Sequence, residues 1–262
     1  MSGIEGEEHQ SQQLQEEFLS LLSHELRAPL TVIGGYAQML SRKLTRKGLL
    51  DEAASADIIK AQASRMSAMV ADLVESGRLA EGAGGLNLEE TNLGELLESI
   101  VARVAREQYR NKDKHVITLE VEPDLPLVRA DARRLDQVVS NLLSNAMRYS
   151  PDGGRIDVVV GRGSACREMA PQSESEELVH EGRATLVVSI TDEGIGVPPE
   201  DRAHLFDRAF RGDGARVVSG HGLGLGLYIC KLIVDVHAGH IGYTEGPGGK
   251  GSTFWFSIPV GS

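Results

Sequence analysis

Four stretches of the chain carry side chains whose types and spacing could do chemistry. The first is His24-Glu25, inside LLSHELRAPLTVIGGYAQML over residues 21–40. On a helix, His24 shares a polar face with Glu17, Ser20, Arg27 and Thr31, away from Leu22, Leu26 and Ile33. A neutral imidazole is a competent nucleophile near neutral pH. A carboxylate next door could accept its ring proton as it attacks phosphorus. Pro29 removes the bond from its own nitrogen to the Glu25 carbonyl and crowds that carbonyl, so the helix should bend beside His24. An ordinary solvated histidine gives the same facial pattern. A local rule broken in an otherwise consistent helix points instead to function.

The second stretch places Asn141 and Asn145 four apart, with Gln137 before and Arg148 after. Their neutral oxygens suit a hard cation that keeps waters and binds mainly through substrate phosphates, which describes Mg²⁺; a plain solvated face is the alternative. In the third, SITDEGIGVPPE, a strand ends in Asp192 and Gly194 and Gly196 allow a tight turn. A carboxylate there can accept from an exocyclic amine, or simply close an Asx turn. The fourth, SGHGLGLGLYICKLI, runs Gly220, Gly222, Gly224 and Gly226 into a helix. Such backbone can lie against phosphates, with the helix N-terminus attracting negative charge. It is no Walker loop, because no GK[ST] follows, and it fails GxGxxG. Before it, Phe206 and Phe210 offer an apolar anchor, and the remainder reads as a mobile lid.

The elements that must position these residues follow from periodicity. From Leu14 to about Lys43 the pattern is helical, with Phe18, Leu22, Leu26, Leu30 and Ile33 at spacings of three and four. Leu44 to Gly48 is a break. A second helical run covers about Asp51 to Leu79, with Ile58, Ile59, Met66, Met69, Val70 and Leu73 on one side. A helical hairpin alone buries little, so its apolar face needs another hairpin, and a dimer follows. Beyond a Gly-rich connector the composition changes. LGELLESIVARVAREQ is an amphipathic helix, and HVITLEVE alternates as a strand. DARRLDQVVSNLLSNAMRYS is a helix whose Leu135, Val138, Val139, Leu142, Leu143 and Ala146 form a buried stripe. RIDVVVG and ATLVVSITD are strands around a polar insert over residues 163–182, and HIGYTEG and GSTFWFSIPV close as a hairpin. Helices segregated against a mixed sheet give an α+β fold.

Composition narrows the classes. The 262 residues suffice for two modest domains, and 38 acidic against 27 basic residues disfavour a nucleic-acid surface. No apolar run reaches a membrane span, and the polar N-terminus is no signal peptide. Cys166 and Cys230 stand alone, so a zinc site or disulfide framework is not expected, and a reducing cytoplasm fits.

Taken in order, these motifs resemble the catalytic core of a two-component sensor histidine kinase. FLSLLSHELRAPL is similar to the H-box, DQVVSNLLSNAMRYSP to the N-box, DEGIGVP to the G1 box, LFDRAFRG to the F-box and GHGLGLGL to the G2 box. The likeness runs from about Gln15 to Val260. It implies a helical hairpin over residues 1–82 forming a dimeric four-helix bundle, then an α/β sandwich ATP-binding domain over 83–262, with an ATP lid at about 206–222. It implies that His24 accepts phosphate from ATP, with Glu25 as base or hydrogen-bond partner. Asn145 and Asn141 would meet Mg²⁺ and phosphate, and Arg148 stands where Lys is usual, near the phosphates. Tyr149 would stack on adenine and Asp192 would accept its amine. Gly194 and Gly196 would shape the adenine pocket, and Gly222, Leu223, Gly224 and Gly226 the phosphate lid. The partners implied are a second copy of the chain and the receiver domain of a response regulator, with no nucleic acid and no membrane contact within this chain. Ala28 stands where strong phosphatases of this kind carry Thr or Asn, so weak dephosphorylation of the regulator is expected. A chain without a sensor segment reads as the cytoplasmic part of a larger protein. A clamp ATPase of the gyrase and Hsp90 kind is disfavoured. It has no use for His24, and it carries a catalytic Glu where this chain has Asn141.

Overall fold

The computed structural model describes residues 26, 28–80, 86–111, 114–163, 184–212 and 224–261. The chain divides into two compact units, Met1–Ala83 and Gly84–Ser262.

In the first unit, helix α1 covers 28–46 and helix α2 covers Leu50–Ala80. The break between them is a Schellman turn. Leu49 N–H donates to the Leu44 carbonyl and Gly48 N–H to that of Thr45, with Gly48 at φ 74°. Asp51 and Glu52 then occupy the first turn of α2, where the helix dipole favours acids. The seam of the hairpin is made of small side chains. Leu30, Ala37 and Ser41 are buried on α1, and Ala53, Ala56 and Ala63 on α2. The larger apolar residues of the expected stripes are outside that seam: Leu26, Ile33, Ile58, Ile59 and Met66 are exposed. Among the described residues of the expected stripes only Leu30 lies in the seam, because the single hairpin packs through a strip of mostly small side chains that hydrophobic periodicity does not pick out. Pro29 is helical and exposed, while the Glu25 carbonyl it would crowd lies outside the described residues.

The second unit is a mixed sheet with helices packed on it. Strand β1 (Glu89–Thr91) pairs antiparallel with β3 (Val128–Ala130) as a small separate sheet. The main sheet, among the described residues, comprises β2 (His115–Val121), β4 (Gly154–Arg162), β5 (Thr185–Asp192), β7 (Ser252–Pro259) and β6 (Ile241–Glu245) in that spatial order. Only the β2–β4 pair is parallel. Register places Ile156, Val158 and Val160, then Leu186, Val188 and Ile190, then Phe254, Phe256 and Ile258 on one face. All of these are buried.

Three helices complete the core. Helix α3 (Leu93–Asn111) buries Leu93, Leu97, Ile100 and Val104. Asn92 caps it, accepting from Glu95 N–H while its own amide reaches the Glu95 carboxylate. Helix α4 (Ala132–Tyr149) buries Leu135, Val138, Val139, Leu142, Leu143 and Ala146, the stripe read from the sequence. Helix α5 (Gly226–Val236) buries Ile229, Cys230, Ile233 and Val234. Beyond β4 the pairing persists to Gly163, whose N–H donates to the Thr185 carbonyl at 2.8 Å. The remaining insert, 164–182, lies outside the described residues.

Candidate nucleotide and phosphotransfer site

Helices α4 and α5 run antiparallel, and two contacts fix their register. At one end the N–H of Asp131, the α4 cap, donates to His237 Nε2 at 3.0 Å. Midway, Cys230 Sγ lies 3.8 Å from the Val138 carbonyl. Both contacts share one offset along the two helices. The turn carrying Asn141 and Asn145 therefore lies level with the start of α5 at Gly226. Both asparagines are half-buried there, and Arg148 is exposed in the last turn. Among the described residues no side chain caps the N-terminus of α5, and the first N–H groups of such a helix end suit an anion.

The far end of α4 meets the turn after β5. The Tyr149 carbonyl accepts from Ile195 N–H at 3.1 Å. Asp192 closes β5 on the same face as Val188 and Ile190, and it is only 3% exposed. Its Oδ1 accepts from Gly194 N–H at 2.8 Å, and the Ser252 amide also donates to the carboxylate. Burial nevertheless holds this carboxyl above its ordinary pKa, the two amides offsetting part of that. A buried carboxylate so placed, with acceptor capacity left over, can take an amine donor. Gly194 is required by crowding: a Cβ would collide with the Tyr149 carbonyl. Gly196 turns the chain at φ 70° beside the Gly251 carbonyl.

The segment after this turn is tied to the sheet. Phe206 meets Phe254 edge-on at 6.5 Å, and Tyr243 packs on Phe254 at 5.3 Å. Arg202 pairs with Glu245 and lies 5.9 Å from the Tyr243 ring centroid. Gly224 has φ 70°, and its Cβ position is 2.5 Å from the Phe210 carbonyl. The backbone at Gly224 therefore approaches that of Ala209 and Phe210 closely. Gly226 opens α5, and among the described residues nothing lies within 4 Å of the position its Cβ would take.

The structure thus gathers Asn141, Asn145, Tyr149, Asp192, Gly194, Gly196, Gly224 and Gly226 around one end of the α4–α5 pair. His24, Glu25, Gly222 and Leu223 lie outside the described residues. Among the described residues no cluster of three His, Cys, Asp or Glu could hold a metal ion. Sequence reasoning missed Ser252, whose amide reaches Asp192, and His115, whose Nε2 lies 2.8 Å from the Ser150 carbonyl. Ser252 meets Asp192 through β5–β7 pairing and His115 meets the carbonyl that caps the end of α4, and no local motif announces either contact.

Residues 130–262 match the family described as Histidine kinase-, DNA gyrase B-, and HSP90-like ATPase, and the chain belongs to it. Residues 14–82 match the His Kinase A (phospho-acceptor) domain, which makes the chain the catalytic core of a two-component histidine kinase. It is 31% identical over 260 residues to the sensor histidine kinase WalK of Bacillus subtilis (strain 168), covering 97% of this chain and 38% of that protein. It is 32% identical over 254 residues to the adaptive-response sensory kinase SasA of Thermosynechococcus vestitus, covering 95% and 60%. The crystal structure of full-length ShkA in complex with AMPPNP superposes with a TM-score of 0.67 at 25% identity, over 94% of this chain and 46% of that one. The chain thus spans between 38% and 60% of the length of these relatives. No helix of the described residues is long and apolar enough to cross a membrane.

Proposed function

We propose that the chain binds ATP between α4, the turn after β5 and the start of α5, and transfers the γ-phosphoryl group to His24. The phosphoryl group then passes to an aspartate on the receiver domain of a response regulator. The observation that carries this reading is the α4–α5 register, which brings the Asn141/Asn145 turn level with an uncapped helix N-terminus. Asp192 would accept the adenine amine and Tyr149 would stack on the ring. The amide oxygens of Asn145 and Asn141 fit Mg²⁺, which with phosphate ligands neutralises charge on the transferred group. A ring nitrogen of His24 would attack the γ-phosphorus as the bond to the ADP oxygen breaks. Glu25 would hold the proton that the other ring nitrogen carries. A second copy would complete the four-helix bundle, consistent with the apolar side chains left exposed on α1 and α2. Ala28, exposed on α1, favours slow dephosphorylation of the regulator. The setting is the cytoplasmic face of a longer sensor protein.

The test is incubation with γ-labelled ATP and Mg²⁺, wild type beside His24→Gln. The expected result is protein label that survives alkali and is lost in acid, as a phosphoramidate is, and that vanishes in the variant while ATP binding persists. Label retained in His24→Gln would overturn the assignment. Phosphate released with no label on wild-type protein would favour a simple ATPase.

A further inference from the structure

The turn after β5 has little of its own to hold it in place. Gly194 and Gly196 bring no side chains, and glycine gives up more conformational freedom on ordering than any other residue. The first half of the turn is held where Gly194 N–H donates to Asp192 Oδ1 at 2.8 Å and Ile195 N–H to the Tyr149 carbonyl at 3.1 Å. The exit is held by a side chain. Arg202, in the short 3-10 helix Pro199–His204, reaches back so that its Nε donates to the Val197 carbonyl at 3.2 Å. The same guanidinium pairs through Nη2 with Glu245 on β6, and its carbon lies 5.9 Å from the ring centroid of Tyr243 on that strand. Register sets Glu245 opposite Ser252 on β7, and Ser252 opposite Asp192 on β5. Arg202 therefore ties the exit of the glycine turn to the row of residues that ends in Asp192.

We propose that Arg202 is a positioning residue of the nucleotide site, whose guanidinium fork fixes the Gly194–Val197 turn before ATP arrives. The proposal rests on the reading of Asp192 and that turn as part of the ATP site. A planar guanidinium serves two acceptors in fixed directions, which an ammonium on a flexible stem does not. A partly exposed ion pair of this kind adds little to the stability of the fold. Its consequence lies in preorganisation. A glycine turn left free must be ordered as the ligand binds, and that cost is subtracted from affinity. The turn borders the base under that reading, remote from the reacting phosphorus, so ordering it helps the ground state and the transition state alike. Loss of Arg202 therefore raises KM for ATP and leaves kcat unchanged.

The experiment compares the full chain as wild type, Arg202→Ala, Arg202→Lys and Asp192→Asn. ATP affinity is measured by calorimetry, autophosphorylation is followed over a range of ATP concentrations, and hydrogen exchange is read without nucleotide. Arg202→Ala should bind ATP about three- to tenfold more weakly, with KM raised by the same factor and kcat unchanged. Arg202→Lys should behave as Arg202→Ala does, since it keeps the charge but loses the fork. In both, Ile195 N–H should exchange faster while Val188 and Ile190 in β5 exchange as in wild type, which separates a loosened turn from a weakened fold. Unchanged ATP affinity in Arg202→Ala, a fall in kcat at constant KM, faster exchange throughout β5, or full recovery in Arg202→Lys would each overturn the proposal. Asp192→Asn separates the two readings. If it leaves ATP affinity unchanged, the reading of this turn as part of the ATP site fails and Arg202 falls with it. If it weakens ATP binding while Arg202→Ala does not, only the Arg202 assignment fails.

Discussion

The two units handle their apolar residues in opposite ways. In the second, the whole stripe of α4 is buried against the sheet and α5, and Leu135, Val138 and Leu143 are fully covered. In the first, four alanines, one serine and Leu30 occupy the seam while Ile33, Ile58, Ile59 and Met66 are exposed. One unit completes its own core; the other closes on small side chains and leaves its larger ones uncovered. Fold strength is therefore a property of a single chain in the ATPase unit. In the hairpin, if a second copy covers the exposed side chains as proposed, it depends on association and so on protein concentration.

The contrast can be broken at three points. The largest effect is expected from Ile33→Asp combined with Ile59→Asp. A charge buried unpaired in an interface costs about 3–5 kcal/mol, so sedimentation should show monomer where wild type is dimeric, with ATP affinity preserved. A variant that stays dimeric would mean these side chains are not the association surface. Next, Leu142→Ala, at a position 1% exposed, should destabilise the ATPase unit by about 2–5 kcal/mol. That loss should be independent of protein concentration, and a concentration-dependent loss would erase the distinction between the units. The smallest effect concerns His237. Its Nε2 accepts the Asp131 N–H while its Nδ1–H donates to the Ile233 carbonyl at 2.7 Å, so the fold requires the neutral ring. Burial holds its pKa below the ordinary value. The Ile233 bond and Asp131 oppose that shift, and Arg134 adds to it. The unfolded chain then binds the extra proton first. The stability from His237 is complete above about pH 6.5 and is lost as the pH falls below that. Melting temperatures of the ATPase unit should decline from pH 7 to pH 5. His237→Asn should melt lower at pH 7 but show a flatter decline, and an unchanged slope would remove His237 from the account.

Much of this was legible in the sequence, for identifiable reasons. The α4 stripe was readable because six apolar residues repeat at helical spacing with one dominant partner surface. The break before α2 was readable because a Schellman turn depends on one local glycine. The exposure of Ile58 and Met66 was not, since periodicity shows which side is apolar but not what covers it. The β1–β3 pair was missed because three-residue strands carry no alternation, and Thr91 meets Val128 only through the fold. Asp192 stood out at a strand end beside glycines. Ser252 did not, because it reaches Asp192 only through β5–β7 pairing.

Cys230 is fully buried where α4 and α5 meet at mid-length. A thiol reagent can reach that sulfur only when the two helices part, so its labelling rate is a clock for the opening of the nucleotide end. With Cys166 replaced, the chain would carry one built-in stopwatch. Its slowing by ATP would measure, without any label on the nucleotide, how firmly the bound ligand clamps those two helices together.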